Sequence, residues 1–95
     1  MNTIPTQTEN PKGLHKRYFV TKWIPGLEKK HEWPLERRIT AVDKDAEYFV
    51  MRLDEGGNDT EHIKACRVGV HAYADAIQHH LPELAKDLKE RYPLL

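Results

Sequence analysis

Several groups of residues in this chain have types and spacings that could do chemistry. His62 and Cys66 stand four apart, so on a helix they share a face, as two metal ligands must. A closed zinc site needs four ligands, however, and the chain has one cysteine and no CxxC or HxxxH spacing. On an apolar helical stripe a buried thiol acts as a small hydrophobe. Cys66 is read that way, and no metal or cofactor is implied. His71 and Asp75 are also four apart, with Arg67 one turn earlier, and an aspartate can orient an imidazole as a general base. The chain contains no serine, and Cys66 belongs to the inward stripe, so a nucleophile is missing. The trio reads as a solvated face and the chain as a non-enzyme; the minor alternative is a site around His71 and Asp75 completed between subunits. Gly56-Gly57 lies in neither a GxGxxG nor a GxxxxGK[ST] pattern and reads as a turn before a helix.

Two further groups suit binding. The first is basic and aromatic, from Lys12 to Trp23. Lys16, Arg17 and Lys22, with Arg37 and Arg38, supply cations for phosphates, while Tyr18, Phe19 and Trp23 supply rings for bases. The ordinary structural reading makes those rings core. The second is Trp33, in the polar run HEWPLERR, where no stripe or alternation claims it. An aromatic flanked by charges in a loop is a binding anchor or a lid on one end of a sheet. Trp33, Glu32, Arg37 and Arg38 are the residues expected to meet a protein partner.

Composition bounds the frame that must position these groups. Ninety-five residues, 39% hydrophobic and 32% charged, suit one small globular domain. The net charge of zero conceals an asymmetry. Residues 1–42 hold eight Lys and Arg against four Asp and Glu, and residues 43–95 hold seven against eleven. The single cysteine excludes an intrachain disulfide and fits a reducing cytoplasm. The opening residues lack the pattern of a signal peptide, and no apolar run reaches the ~20 residues of a membrane span.

Residues 1–13, with Pro5, Pro11 and Gly13, read as a flexible arm, and 14–95 as a single small α+β domain. Alternation predicts strands over Lys16–Trp23, Arg37–Val42 and, most firmly, Glu47–Leu53. Pro25-Gly26 ends the first, and Asp43-Lys44-Asp45 closes the second. Asn58 is the expected N-cap of a helix whose Ile63, Cys66, Val70, Tyr73 and Ile77 form one stripe, flanked by Ala65, Ala72, Ala74 and Ala76. Pro82 opens a second helix with Leu81, Leu84, Ala85, Leu88 and Tyr92 as its stripe, and Pro93 stops it. The expected fold is a short antiparallel sheet of two or three strands with two C-terminal helices packed on one face.

The segments YFVMRLD, ACR, HAYAD and LPELAKDLKERY resemble a set of small uncharacterised proteins met in phage and prophage genomes and in bacterial accessory regions. The resemblance lies in an FVL-like strand (Phe49–Met51), an AYA in the next helix (Ala72–Ala74) and a closing helix with LAxDL (Leu84–Leu88). It covers about half the chain, departs over Gly26–Asp45, and involves packing motifs that transfer no site residues. It implies a phage or mobile-element protein in the cytoplasm of a bacterial host, with a host or phage protein as partner, a setting that inhibition of a host system, for instance a defence complex, would fit. The rival expectation is a nucleic-acid-binding accessory protein using Lys16, Arg17, Lys22, Arg37 and Arg38. A homodimer through the first helix's stripe is compatible with either.

Overall fold

The computed structural model describes residues 3–95. Strand β1 spans Thr21–Trp23, a 3-10 turn follows at Leu35–Arg37, and strand β2 spans Ile39–Ala41. Helices α1 and α2 span Thr60–Ile77 and Pro82–Arg91. The fold is α+β, with a two-stranded antiparallel sheet and two C-terminal helices. The chain divides into two compact units, Met1–Phe49 and Val50–Leu95.

In the first unit the strands pair Thr21 with Ala41, Lys22 with Thr40 and Trp23 with Ile39. They are shorter than their sequences suggest. The amide of Ile24 still donates to Arg38 O at 2.9 Å, and Pro25-Gly26 then turns the chain. Leu27 N donates to Ile24 O at 3.0 Å and Gly26 takes φ 88°. This is a type II turn, with proline pre-setting the second position and glycine accepting the positive φ of the third. Further turns carry the chain to the 3-10 segment, through Lys30 N on Leu27 O at 3.2 Å and Trp33 N on Lys30 O at 2.9 Å. The segment read as an arm forms a turn as well: Thr6 N donates to Glu9 Oε1 at 2.9 Å, and Glu9 N to Thr6 Oγ1 at 3.3 Å. The bond from the Thr6 amide first, and a side-chain hydrogen bond from Thr6 to the carboxyl second, hold the Glu9 carboxyl below its ordinary pKa. Residues 1–2 of that arm lie outside the described residues.

The strand expected over Glu47–Leu53 is absent, and Lys16–Val20 likewise lies outside β1. Strand propensity expresses itself only where a neighbour accepts the row of backbone hydrogen bonds. Among the described residues no strand lies beside Glu47–Leu53. Its Tyr48, Phe49, Val50 and Met51 are all exposed.

The second unit opens with Asp54. Its carboxylate accepts from Arg52 Nε at 2.7 Å, Arg52 Nη2 at 3.1 Å and Gly56 N at 3.1 Å. A Cβ on Gly56 would stand 2.8 Å from Asp54 Oδ2, so the turn excludes a side chain there. The cap of α1 is Asp59 rather than Asn58, and its Oδ1 accepts from His62 N at 3.1 Å. The helix buries Ile63, Cys66, Arg67 and Ala74. That stripe is rotated from the expected one, because the position between Val70 and Ile77 that turns inward is Ala74, at 0% exposure, while Tyr73 stays 47% exposed. On α2, with Pro82 in its first turn, the fully inward residue is Ala85 and not Leu84. Alanines at the contact let the two helix backbones approach closely.

The core is thin. Among the described residues its buried apolar members are Ile63, Cys66, Ala74 and Ala85, so hydrogen bonds carry more of the cohesion than is usual. Arg67, 6% exposed, donates Nε to Leu53 O and Nη1 to Pro93 O, both at 2.9 Å. Its guanidinium carbon lies 5.8 Å from the Tyr92 ring. One side chain thus ties the approach to α1 to the chain leaving α2. His71 adds a second tie, its Nε2 lying 2.7 Å from Tyr92 O. No helix among the described residues is long and apolar enough to cross a membrane.

Candidate docking site

The turns that lead from β1 into β2 bring Trp33, Glu32 and Arg37 together around Lys30. Lys30 Nζ lies 5.1 Å, and the Arg37 guanidinium carbon 4.6 Å, from the centre of the Trp33 ring. Both distances are within cation–π range. Glu32 completes the group through Lys30, at 3.6 Å between exposed atoms. Such an exposed pair contributes little stability, so its effect is to set local charge. Trp33 is half-buried beneath its cations rather than projecting free. Arg37 is exposed and, among the described residues, makes no ion pair. A guanidinium over a ring face keeps its in-plane N–H groups available for a planar acceptor such as a carboxylate.

Arg38 has a different position. It is 8% exposed, its Nε donates to Leu27 O at 3.1 Å, and a second guanidinium N–H donates to Glu28 O. Its carbon lies 5.0 Å from the Trp23 ring. The expectation that Arg38 meets a partner is therefore revised: its donors hold the loop that displays Trp33. Two adjacent arginines have opposite roles because the 3-10 turn ends between them, leaving one outside and directing the other beneath the loop.

The residues expected to serve nucleic acid are scattered. Lys16 donates its backbone amide to Pro5 O at 2.8 Å, and the Arg17 carbon lies 6.0 Å from the Tyr18 ring. Lys22 sits opposite Thr40, on the face of β1 away from Trp23. Tyr18, Phe19 and Trp23 are 56%, 94% and 47% exposed, so these rings are not the core that the ordinary reading makes of them.

The chemistry-bearing pairs of the second unit are otherwise engaged. Cys66 Sγ lies 3.5 Å from His62 Nε2 and is buried. Among the described residues no three His, Cys, Asp or Glu side chains converge as metal ligands do. His71 turns to Tyr92 O, while Asp75 accepts from Lys89 of α2. The expected outward face of Arg67, His71 and Asp75 is thereby corrected at Arg67, which is buried, and at His71, which is half-buried on Tyr92 O, while Asp75 stays exposed beside Lys89. An open recess of about 240 Å³ at the start of α1 is lined by Glu55, Gly57, Thr60, Ile63, Lys64 and Leu95. Its size is below that of ordinary ligand pockets, and its charges are of both signs.

Sequence reasoning overlooked Lys30 as the second cation on Trp33 and Arg67 as a buried tie. The signal for Arg67 was present, because positions 63, 67, 70 and 74 share a helical face whose other members are apolar. The fold is of the α+β class, and a charged loop carrying Trp33 joins its two strands. No family model, curated protein or solved structure matches the chain.

Proposed function

We propose that this chain is a non-enzymatic binding protein that docks on a protein partner through the loop carrying Trp33, Arg37, Lys30 and Glu32. The observation that carries the reading is the Trp33 ring beneath two cations, one of them exposed and, among the described residues, without a carboxylate. Aromatic and arginine side chains held in a fixed relation dominate protein interfaces, since little ordering entropy remains to be lost on contact. Phe19, at 94% exposure, adds an apolar ring with no polar handle, which suits a protein surface. In the setting implied by the phage-type resemblance, the partner is a host or phage protein, and inhibition of a host defence complex is the corresponding action.

Nucleic-acid binding is the weaker reading. Of its five cations, Arg38 is buried and bonded to backbone carbonyls, and Glu32 and Glu36 interrupt the local positive charge. A phosphate backbone rewards charge of one sign.

The test is capture by the tagged protein from a bacterial lysate, with and without nuclease, at low and high salt. A discrete protein that survives both treatments, and whose binding weakens at least tenfold in the Trp33→Ala, Arg37→Glu variant, is the expected result. The factor follows from hot-spot truncations of about 2 kcal/mol or more. Capture unchanged in that variant removes the site. Recovery of nucleic acid alone, lost as salt rises, overturns the reading and returns the site to Lys16, Arg17 and Lys22.

A further inference from the structure

Arg37 is placed as a recognition group rather than as a solvated surface charge. Its backbone amide donates to Pro34 O at 3.0 Å within the 3-10 turn, and its guanidinium carbon stands 4.6 Å from the centre of the Trp33 ring. That is the shortest cation–ring contact among the described residues, the others running from 5.0 to 6.0 Å. The loop beneath it is fixed as well, by buried Arg38 on the carbonyls of Leu27 and Glu28. Elsewhere, Arg52 and Lys89 already hold Asp54 and Asp75. Arg37 is exposed and, among the described residues, holds no carboxylate. A guanidinium lying over a ring spends its face there and leaves its edge, a planar fork of N–H donors, to other acceptors.

We infer that the docking loop recognises a single carboxylate, from an Asp or Glu side chain of its protein partner, received edge-on by the Arg37 fork. The inference rests on the docking reading and supplies its chemistry. A carboxylate matches the fork in planarity and spacing and forms two charge-assisted hydrogen bonds with it. Covering that pair with a partner's surface removes water, and polar geometry then discriminates more strongly. The neighbouring charges set the number of acids. Glu32 sits 3.6 Å from Lys30, Glu28 accepts from the Gly26 amide at 3.0 Å, and exposed Glu36 precedes Arg37 on the same turn. These carboxylates repel a run of anionic groups, whether polyglutamate or a phosphodiester chain, and admit an isolated one. Leu35, 55% exposed on the same turn, and half-buried Trp33 add apolar surface, so the recognised acid carries an apolar neighbour. All of these residues belong to Met1–Phe49.

The experiment offers the immobilised full chain two pools of short blocked peptides with randomised neighbours about a central residue, glutamate in one pool and glutamine in the other. The glutamate pool is retained about tenfold better, the factor that one charge-assisted hydrogen bond supplies, and its retained sequences are enriched in apolar neighbours. Arg37→Lys, which keeps the charge but not the fork, loses that preference, as does Arg37→Gln. Equal retention of the two pools, no retention of either, a preference that survives in Arg37→Lys, or tighter binding of polyglutamate or inorganic phosphate overturns the inference. The comparison of glutamate with glutamine needs no altered chain, so it stays decisive even where a variant misfolds. Failure here is separable from failure of docking. A lysate partner lost by the Trp33→Ala, Arg37→Glu variant but bound equally well by Arg37→Lys keeps the docking site and removes the carboxylate.

Discussion

The two units of this molecule use one device in opposite settings. In Met1–Phe49, Arg38 lies beneath a loop, donates to the carbonyls of Leu27 and Glu28 and faces the Trp23 ring. In Val50–Leu95, Arg67 lies beneath two chain ends, donates to the carbonyls of Leu53 and Pro93 and faces the Tyr92 ring. Each guanidinium satisfies carbonyls that no helix or strand provides for, and each compensates for a scarcity of buried apolar volume. The difference lies in what surrounds the device. Around Arg67 two helices pack on Ala74 and Ala85 and direct polar side chains outward. Around Arg38 a series of turns leaves Tyr18, Phe19 and Trp23 at the surface. Regular helices hide what they can. Turns cannot, because each alters the direction of the next side chain, and rings that a core would have covered remain at the surface.

Removing the two arginines in turn tests that comparison most severely. Arg67→Met keeps the apolar stem but takes the donor from the part-buried Leu53 and Pro93 carbonyls, and the expected loss is about 1–3 kcal/mol, seen as a fall in the helical melting transition. Arg38→Met removes the same number of bonds from a unit whose described residues hold no α-helix. Its expected effect is faster amide exchange and proteolysis between residues 24 and 38, with the helical transition little changed. Equal effects on the helical transition would break the distinction between the units.

A smaller effect sharpens the account of the first unit. Gly26→Ala forces a Cβ into positive φ, at an expected loss of about 1–2 kcal/mol, read as weakened order in the loop carrying Trp33. The space around that Cβ is open, so the strain is entirely in the backbone.

The smallest effect belongs to the second unit and to pH. Hydrogen bonds from Arg52, and then from the Gly56 amide, lower the Asp54 carboxyl from 3.8 to about 2. A depressed carboxyl contributes stability that is present above its unfolded value and is lost as pH falls through its folded one. The contribution of Asp54 is therefore whole near neutrality and disappears between pH 3.8 and about 2. Asp54→Asn should abolish that part of the acid sensitivity, and a carboxyl titration followed by NMR checks the midpoint. Because the pair is exposed, a large change in melting temperature would contradict this account.

How much of this was legible in the residues differs from element to element. The helices were, because their signals are local: Pro82 in a first turn, a carboxylate cap within one residue of the expected Asn58, and Pro93 just past the end. So was the turn at Pro25-Gly26, whose two residues each suit one dihedral requirement. The face α1 would bury was legible only to within one residue, since Tyr73 and Ala74 differ by the width of the partner they admit. The candidate site was half legible. Trp33 and Arg37 come together as proposed, while Lys30 and the inward course of Arg38 were not readable from spacing.

What the amino-acid order determined alone is therefore the class of fold, the positions of turns and helices, and the loop worth testing. The tertiary structure decided which of two adjacent arginines is outside, which rings are uncovered, and whether EYFVMRL becomes a strand. The physical reason is common to all three. A cap or a turn is completed by atoms a few residues away, whereas a strand, a buried guanidinium or a covered ring is completed by a distant neighbour that its own sequence does not name.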